Sequence, residues 1–175
     1  MNIEEIKTNK NNIETKSQDV ENLVLSTITI YCQDLDNLIK EVDKRIREQE
    51  LDGLADQELE TYCLKLSSFM YFAASGQELI GLKESIASAL NKEKYNIEYG
   101  NATGTMADKK SIAELATQDS MLVSLIYDRA EKMMASKLEY ATHLLSSIKR
   151  VLNRRIEQMK MNPSQIKFKD VSIKG

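Results

Sequence analysis

The single histidine of the chain, His143, stands one helical turn after Glu139 in the run "EYATH". Side chains at that spacing share a helix face and could begin a metal site, but metal-assisted catalysis needs at least a third ligand and an oriented water. No third ligand is evident, and neither copy of the Glu-x-x-His pair that builds a carboxylate-bridged centre in a four-helix bundle is present. The run "GNATGTMADKKS" has the glycines, lysines and serine of a phosphate-binding loop without its spacing. A P-loop needs its second glycine directly before Lys and Ser/Thr, so that backbone amides and the ammonium converge on phosphate; here four residues separate Gly104 from Lys109. No local nucleophile motif supports a Ser-His-Asp or Cys-His arrangement. We therefore expect no catalytic residues, no metal ligands, no cofactor and no enzyme activity.

Binding chemistry is better represented. The stretch "SSIKRVLNRRIEQMK" places Lys149, Arg150, Arg154, Arg155 and Lys160 in one predicted helix with a single acid, Glu157. A helical projection puts Ile148, Leu152, Ile156 and Met159 on one face and Arg150 and Arg154 on the opposite one. Cations near a helix C-terminus are favoured by the macrodipole, so a solvated helix end accounts for part of the pattern. It leaves out Lys167, Lys169 and Lys174 beyond the helix; from Lys149 onward there are 8 basic and 2 acidic residues. An anionic partner, most naturally nucleic acid, is the competing reading. Tyr95 and Tyr99, close to Lys92 and Lys94, could stack on exposed bases or pack on a helix surface. Met133, Met134, Met159 and Met161 suit a core or an adaptable partner surface.

The elements that must carry these residues are helical. Only 6 Gly and 1 Pro occur in 175 residues, and aromatics make up 6%, which fits an all-α chain better than a sandwich or barrel. Residues 1–16 read as a flexible polar tail. From Ser17 or Asp19 a helix carries Val24, Ile28, Tyr31, Leu35, Leu38, Val42 and Ile46 at steps of three and four. "LDGLADQEL" breaks it, and Asp56 is the expected cap of the next helix. That helix has a seam of Leu59, Tyr62, Leu66, Phe69, Ala73, Gly76, Ile80, Lys83, Ala87 and Leu90, with Gly76 marking a bend or a close crossing.

A glycine loop at 100–107 then precedes a third helix, capped by Asp108, on which Ile112, Leu115, Leu122, Ile126, Met133, Ala141, Leu144, Leu145, Ile148, Leu152, Ile156 and Met159 face a partner until Pro163. Residues 17–162 form one helical domain: an extended hairpin plus a long C-terminal helix. At some fifty residues the last helix would span roughly 75 Å, too long for a compact bundle, so a coiled-coil-like homo-oligomer is expected to bury it. Residues 163–175 alternate apolar residues with lysines and read as a short extended basic arm.

Charge is uneven along the chain. Residues 1–90 hold 9 Lys/Arg and 17 Asp/Glu, residues 91–175 hold 15 and 10, and the total is -3. Opposite halves suit head-to-tail association or a basic surface kept for an anionic partner. The first residues lack the basic start and apolar run of a signal peptide, and no later run would cross a bilayer, so a cytoplasmic location without membrane contact is expected. Cys32 and Cys63 sit among apolar neighbours and read as reduced, buried thiols.

The order "KYNIEYG", a loop, "DKKSIAEL" and the helix "EYATHLLSSIKRVLNRRIEQM", from about Lys92 to Met159, resembles the C-terminal half of the T4-type phage recombination mediators, the UvsY family. The resemblance implies a small helical protein that assembles into rings, binds single-stranded DNA, and helps load a RecA-like recombinase onto strands covered by a single-strand-binding protein. On that reading Lys94, Tyr95, Lys109, Lys110, Lys149, Arg150, Arg154 and Arg155 form the nucleic-acid-binding surface, in host cytoplasm if the protein is phage-encoded. The alternative is a phage structural, assembly or host-defence-inhibiting protein acting through helical protein contacts.

Overall fold

A computed structural model describes residues 3–161, with side chains from 14 onward except Lys16. Three helices follow one another, and among the described residues there is no strand: α1 (Ile3–Gly53), α2 (Asp56–Asn101) and α3 (Met106–Met161). They contain 51, 46 and 56 residues, so each runs for roughly 70 to 85 Å. The basic arm expected at 163–175 lies outside the described residues. α1 begins inside the segment read as a flexible tail; that segment has neither proline nor glycine to stop a helix from propagating toward the N-terminus.

α1 ends through a sharp break. Glu50 has φ 55 and ψ 161, a conformation that a side chain disfavours. The cap of α2 is Ala55, without a side-chain capping bond, which corrects the expectation for Asp56. Asp56 is the first helical residue, and its carboxylate is taken by Arg155.

At the other turn, Gly104 has φ 112 and turns the chain back. The expected cap Asp108 likewise lies inside its helix, three residues past Thr105. Thr105 caps α3, and the two form a reciprocal box: Asp108 N–H donates to Thr105 Oγ1 at 3.3 Å, while the Thr105 amide and hydroxyl donate to Asp108 Oδ2 at 2.9 and 2.7 Å. Those bonds to its charged form hold the Asp108 carboxyl below the usual range.

The helices run up, down and up, so α1 and α3 are parallel and α2 opposes both. Lys137 Nζ reaches Asp36 Oδ1 at 2.6 Å, Tyr140 O–H donates to Asp43 Oδ1 at 2.9 Å, and Arg154 pairs with Asp52, which sets a steady register between α1 and α3. The α2–α3 pairing is the most extensive of the three.

The core follows the seam expected of α1: Val24, Ile28, Leu35, Leu38 and Val42 are buried, with Tyr31 and Ile46 packed against them. From α2 come Leu59, Tyr62, Leu66, Ala73, Gly76 and Ile80, and from α3 Ala130, Met134, Ala141, Leu144, Ile148 and Val151. Gly76 marks a close crossing. A Cβ there would sit 2.4 Å from Tyr31 Cγ and 2.6 Å from its Cβ.

One expectation fails here. On α3 the first part of the expected seam points outward, with Ile112, Leu115 and Leu122 exposed by 44, 63 and 40%, while Ala113 and Thr117 are buried instead; Met133, Ile156 and Met159 of the same expected seam are exposed as well. The reason is close approach: α2 and α3 meet beyond Ile80 through small and polar side chains, with Ser124 O–H donating to Glu84 Oε1 at 3.2 Å, and larger residues would force them apart. α1 and α2 are nearly as long as α3, and of the two α2 lies against it the more extensively.

Candidate interaction surfaces

The eight residues expected to bind nucleic acid do not converge. Lys94 and Tyr95 near the end of α2, with Lys109 and Lys110 at the start of α3, flank the α2–α3 loop. Lys149, Arg150, Arg154 and Arg155 lie near the opposite end of the rod, beside the α1–α2 turn. Along α3 the 39 residues from Lys110 to Lys149 span roughly 60 Å, so one protomer presents two basic groups and no continuous surface.

Within the second group Arg154 and Arg155 serve the fold. Arg155 is largely buried, its side chain 20% exposed. Its Nη1 donates to the Leu54 carbonyl at 2.9 Å and to the Asp56 carboxylate, and its Nη2 donates to the Asp52 carbonyl at 2.7 Å. One guanidinium thus gathers the carbonyls that the broken end of α1 leaves without helical partners. Arg154 pairs with Asp52 on the surface, both more than half exposed. Lys149 and Arg150 are exposed and make no ion pair among the described residues.

At the loop end Lys94 is exposed, Lys109 half-buried, and Lys110 pairs with Glu114 at 3.7 Å. Tyr95 and Tyr99 are half-buried and stack on each other, centroids 6.2 Å apart and planes at 17°.

The α1–α2 turn is closed by a second polar cluster that the sequence did not announce. Arg45 holds Glu58 through two bonds, Nε to Oε1 at 2.9 Å and Nη2 to Oε2 at 3.3 Å. Tyr62 O–H lies within bonding distance of Glu58 Oε1 at 3.1 Å and Glu41 Oε1 at 3.3 Å. The bond from Arg45 lowers the Glu58 pKa, and burial together with the two carboxylates pushes the Tyr62 phenol up to about 12. Burial likewise raises the Cys32 and Cys63 thiols; both cysteines are free. Among the described residues, no three His, Cys, Asp or Glu side chains cluster as metal ligands, and His143 has only the exposed Glu139 nearby, at 3.8 Å. No described helix is long and apolar enough to cross a membrane.

The most distinctive surface was missed at the sequence level. α2 is apolar on two opposite sides. One side is the buried seam; the other carries Leu64, Tyr71, Phe72, Leu79, Leu82, Ile86, Leu90 and Ile97, each 49 to 75% exposed. At 100° per residue these eight fall within an arc of about 100° that points away from the core. Phe72 and Leu79, with Ile30 of α1, also line an open groove of about 490 Å³ between the two helices. The signal was present as the seven-residue spacing of Phe72, Leu79 and Ile86, but the inner seam through Gly76 masked it. Comparison with known protein families, with curated proteins and with solved structures finds no match.

Proposed function

We propose that this chain is a non-enzymatic helical interaction protein, a rod that works by docking a helical protein surface on the outer side of α2. The observation that carries this reading is the unpartnered apolar stripe from Leu64 to Ile97, on a helix whose opposite side already supplies the core. A contiguous apolar face of that length is a feature of interaction sites and is uncommon on monomer surfaces. Arg154 and Arg155, two of the cations that would otherwise suggest an anionic partner, are engaged at the α1–α2 turn. The experiment is fluorescence of anilinonaphthalene sulfonate on the full chain, diluted until any assembly has dissociated. Wild type should enhance the dye, and the exposed double substitution Leu79→Glu/Ile86→Glu should remove most of that enhancement. Equal signals from both would overturn the reading.

A second reading, single-stranded DNA binding by a recombination mediator that cooperates with a RecA-like recombinase and a single-strand-binding protein, is supported by the residue resemblance and by the loop end. There Lys92, Lys94 and Lys109 accompany the Tyr95–Tyr99 pair. It requires binding whose affinity falls steeply with salt. Absence of binding at low salt removes it.

A further inference from the structure

The outer face of α2 is patterned for one kind of occupant. Phe72, Leu79 and Ile86 recur at intervals of seven, and Ser75, Leu82 and Ala89 recur at seven with an offset of three. These are the a and d positions of nearly three heptads. They are surface positions in the folded chain: Phe72, Leu79, Leu82 and Ile86 are 61, 49, 57 and 52% exposed, and Ser75 and Ala89 are exposed as well. Three heptads would be marginal for an isolated peptide, because helix nucleation is costly. Here α2 is already held helical by its inner seam, so that cost is met before the two surfaces meet.

Charge selects the partner and its direction. Glu78 occupies the g position and Lys83 the following e position; both are exposed and neither makes an ion pair among the described residues. In a parallel pair of helices, g of one copy faces the following e of the other. Glu78 of each copy would then meet Lys83 of its neighbour, twice across the two-fold axis. In an antiparallel pairing of the same stripe Glu78 faces Ser85 and Lys83 faces Gly76, and no opposite charges meet. The small d residues Ser75 and Ala89 allow the helices to approach closely at both ends of the seam.

We infer that the outer face of α2 is a homodimer interface, a parallel two-stranded coiled coil through Phe72, Ser75, Leu79, Leu82, Ile86 and Ala89, with a second copy of this chain as its occupant. The inference rests on the docking reading above and names the partner of that face. It makes a two-fold assembly of rods lying side by side in the same direction, so that both copies present their α1–α2 turns at one end and their α2–α3 loops at the other.

Light scattering at micromolar concentration and oxidative cross-linking test it together. Wild type should have twice the 19.9 kDa chain mass, and Leu79→Glu/Ile86→Glu should halve that mass with unchanged helical circular dichroism. Ser75→Cys should form a covalent homodimer on mild oxidation, since a parallel two-fold sets residue 75 beside its own copy, whereas wild type under the same conditions should not. A dimer that survives the double substitution, a mass above two chains, or a dimer in which Ser75→Cys stays unlinked would overturn the inference. So would a monomeric wild type. If that monomer enhances the dye and the double variant does not, the docking reading stands and only the self-pairing falls; if neither enhances it, both fall.

Discussion

Arg155→Gln separates a structural arginine from a ligand-binding one. Three short bonds are at stake, beside a longer one to the Leu51 carbonyl at 3.5 Å: to the Leu54 carbonyl at 2.9 Å, to the Asp52 carbonyl at 2.7 Å and to the Asp56 carboxylate. A hydrogen bond to a charged group contributes about 1.5 to 3 kcal/mol when well buried. The Arg155 side chain is 20% exposed and that of Asp56 46%, so about 1 kcal/mol per bond is the appropriate scale after solvent screening. Glutamine keeps one amide donor and recovers about one of the three, leaving a loss of about 2 kcal/mol. For a chain of this size that lowers the melting temperature by roughly 4 to 8 °C.

Arg150→Gln is the control. It has no ion pair among the described residues and is exposed, so it should stay within about 0.5 kcal/mol of wild type. Urea midpoints on both variants, read by circular dichroism, make the comparison. The reasoning is refuted if Arg155→Gln unfolds with wild type, or if both variants retain full stability while weakening single-stranded DNA binding and flattening its salt dependence to the same degree.

Further outcomes follow from the same packing. Gly76→Ala should destabilise by about 1 to 3 kcal/mol despite the better helix propensity of alanine, because the clash is with Tyr31 Cβ and Cγ, which cannot swing aside; Gly100→Ala, with nothing within 4 Å, should stabilise by up to about 1 kcal/mol, and chemical denaturation of the pair checks both signs. Glu50→Gly relieves a positive φ and should raise the urea midpoint, by about 1 kcal/mol of stability; a lower midpoint counts against the strain. The lowered Glu58 carboxyl contributes stability that is fully present above the ordinary glutamate range and fades as pH falls through its folded value, so Glu58→Gln should flatten the acid side of a melting-temperature profile. The raised Tyr62 phenol contributes below its ordinary pKa near 10, a contribution lost as pH climbs toward about 12, so Tyr62→Phe should flatten the alkaline side.

Much of the fold was legible because helices write their faces into the chain. The three- and four-residue steps from Val24 to Val42 identified the buried side of α1, and the scarcity of Pro and Gly placed the two turns within a few residues. Gly76 also announced itself, since a glycine within an apolar helical seam has few uses besides a bend or a close crossing. Periodicity names a face, however, and leaves its occupant open. On α2 the spacing identified Leu59, Tyr62, Leu66 and Ile80 as the inner seam, while only the packing of α1 and α3 decided that Phe72, Leu79 and Ile86 form a second, outer apolar face and that Leu90, expected in the seam, lies on it.

The basic helix end shows the other limit. Arg154 and Arg155 meet Asp52 and Asp56 about a hundred residues earlier in the chain, a juxtaposition set by how three helices of similar length register side by side. No local pattern records it. The alanine and threonine seam at Ala113 and Thr117 was hidden for a related reason: hydrophobicity ranks leucine above alanine as a core residue, but the distance between two helix axes sets the size that fits, and that distance belongs to the tertiary structure alone.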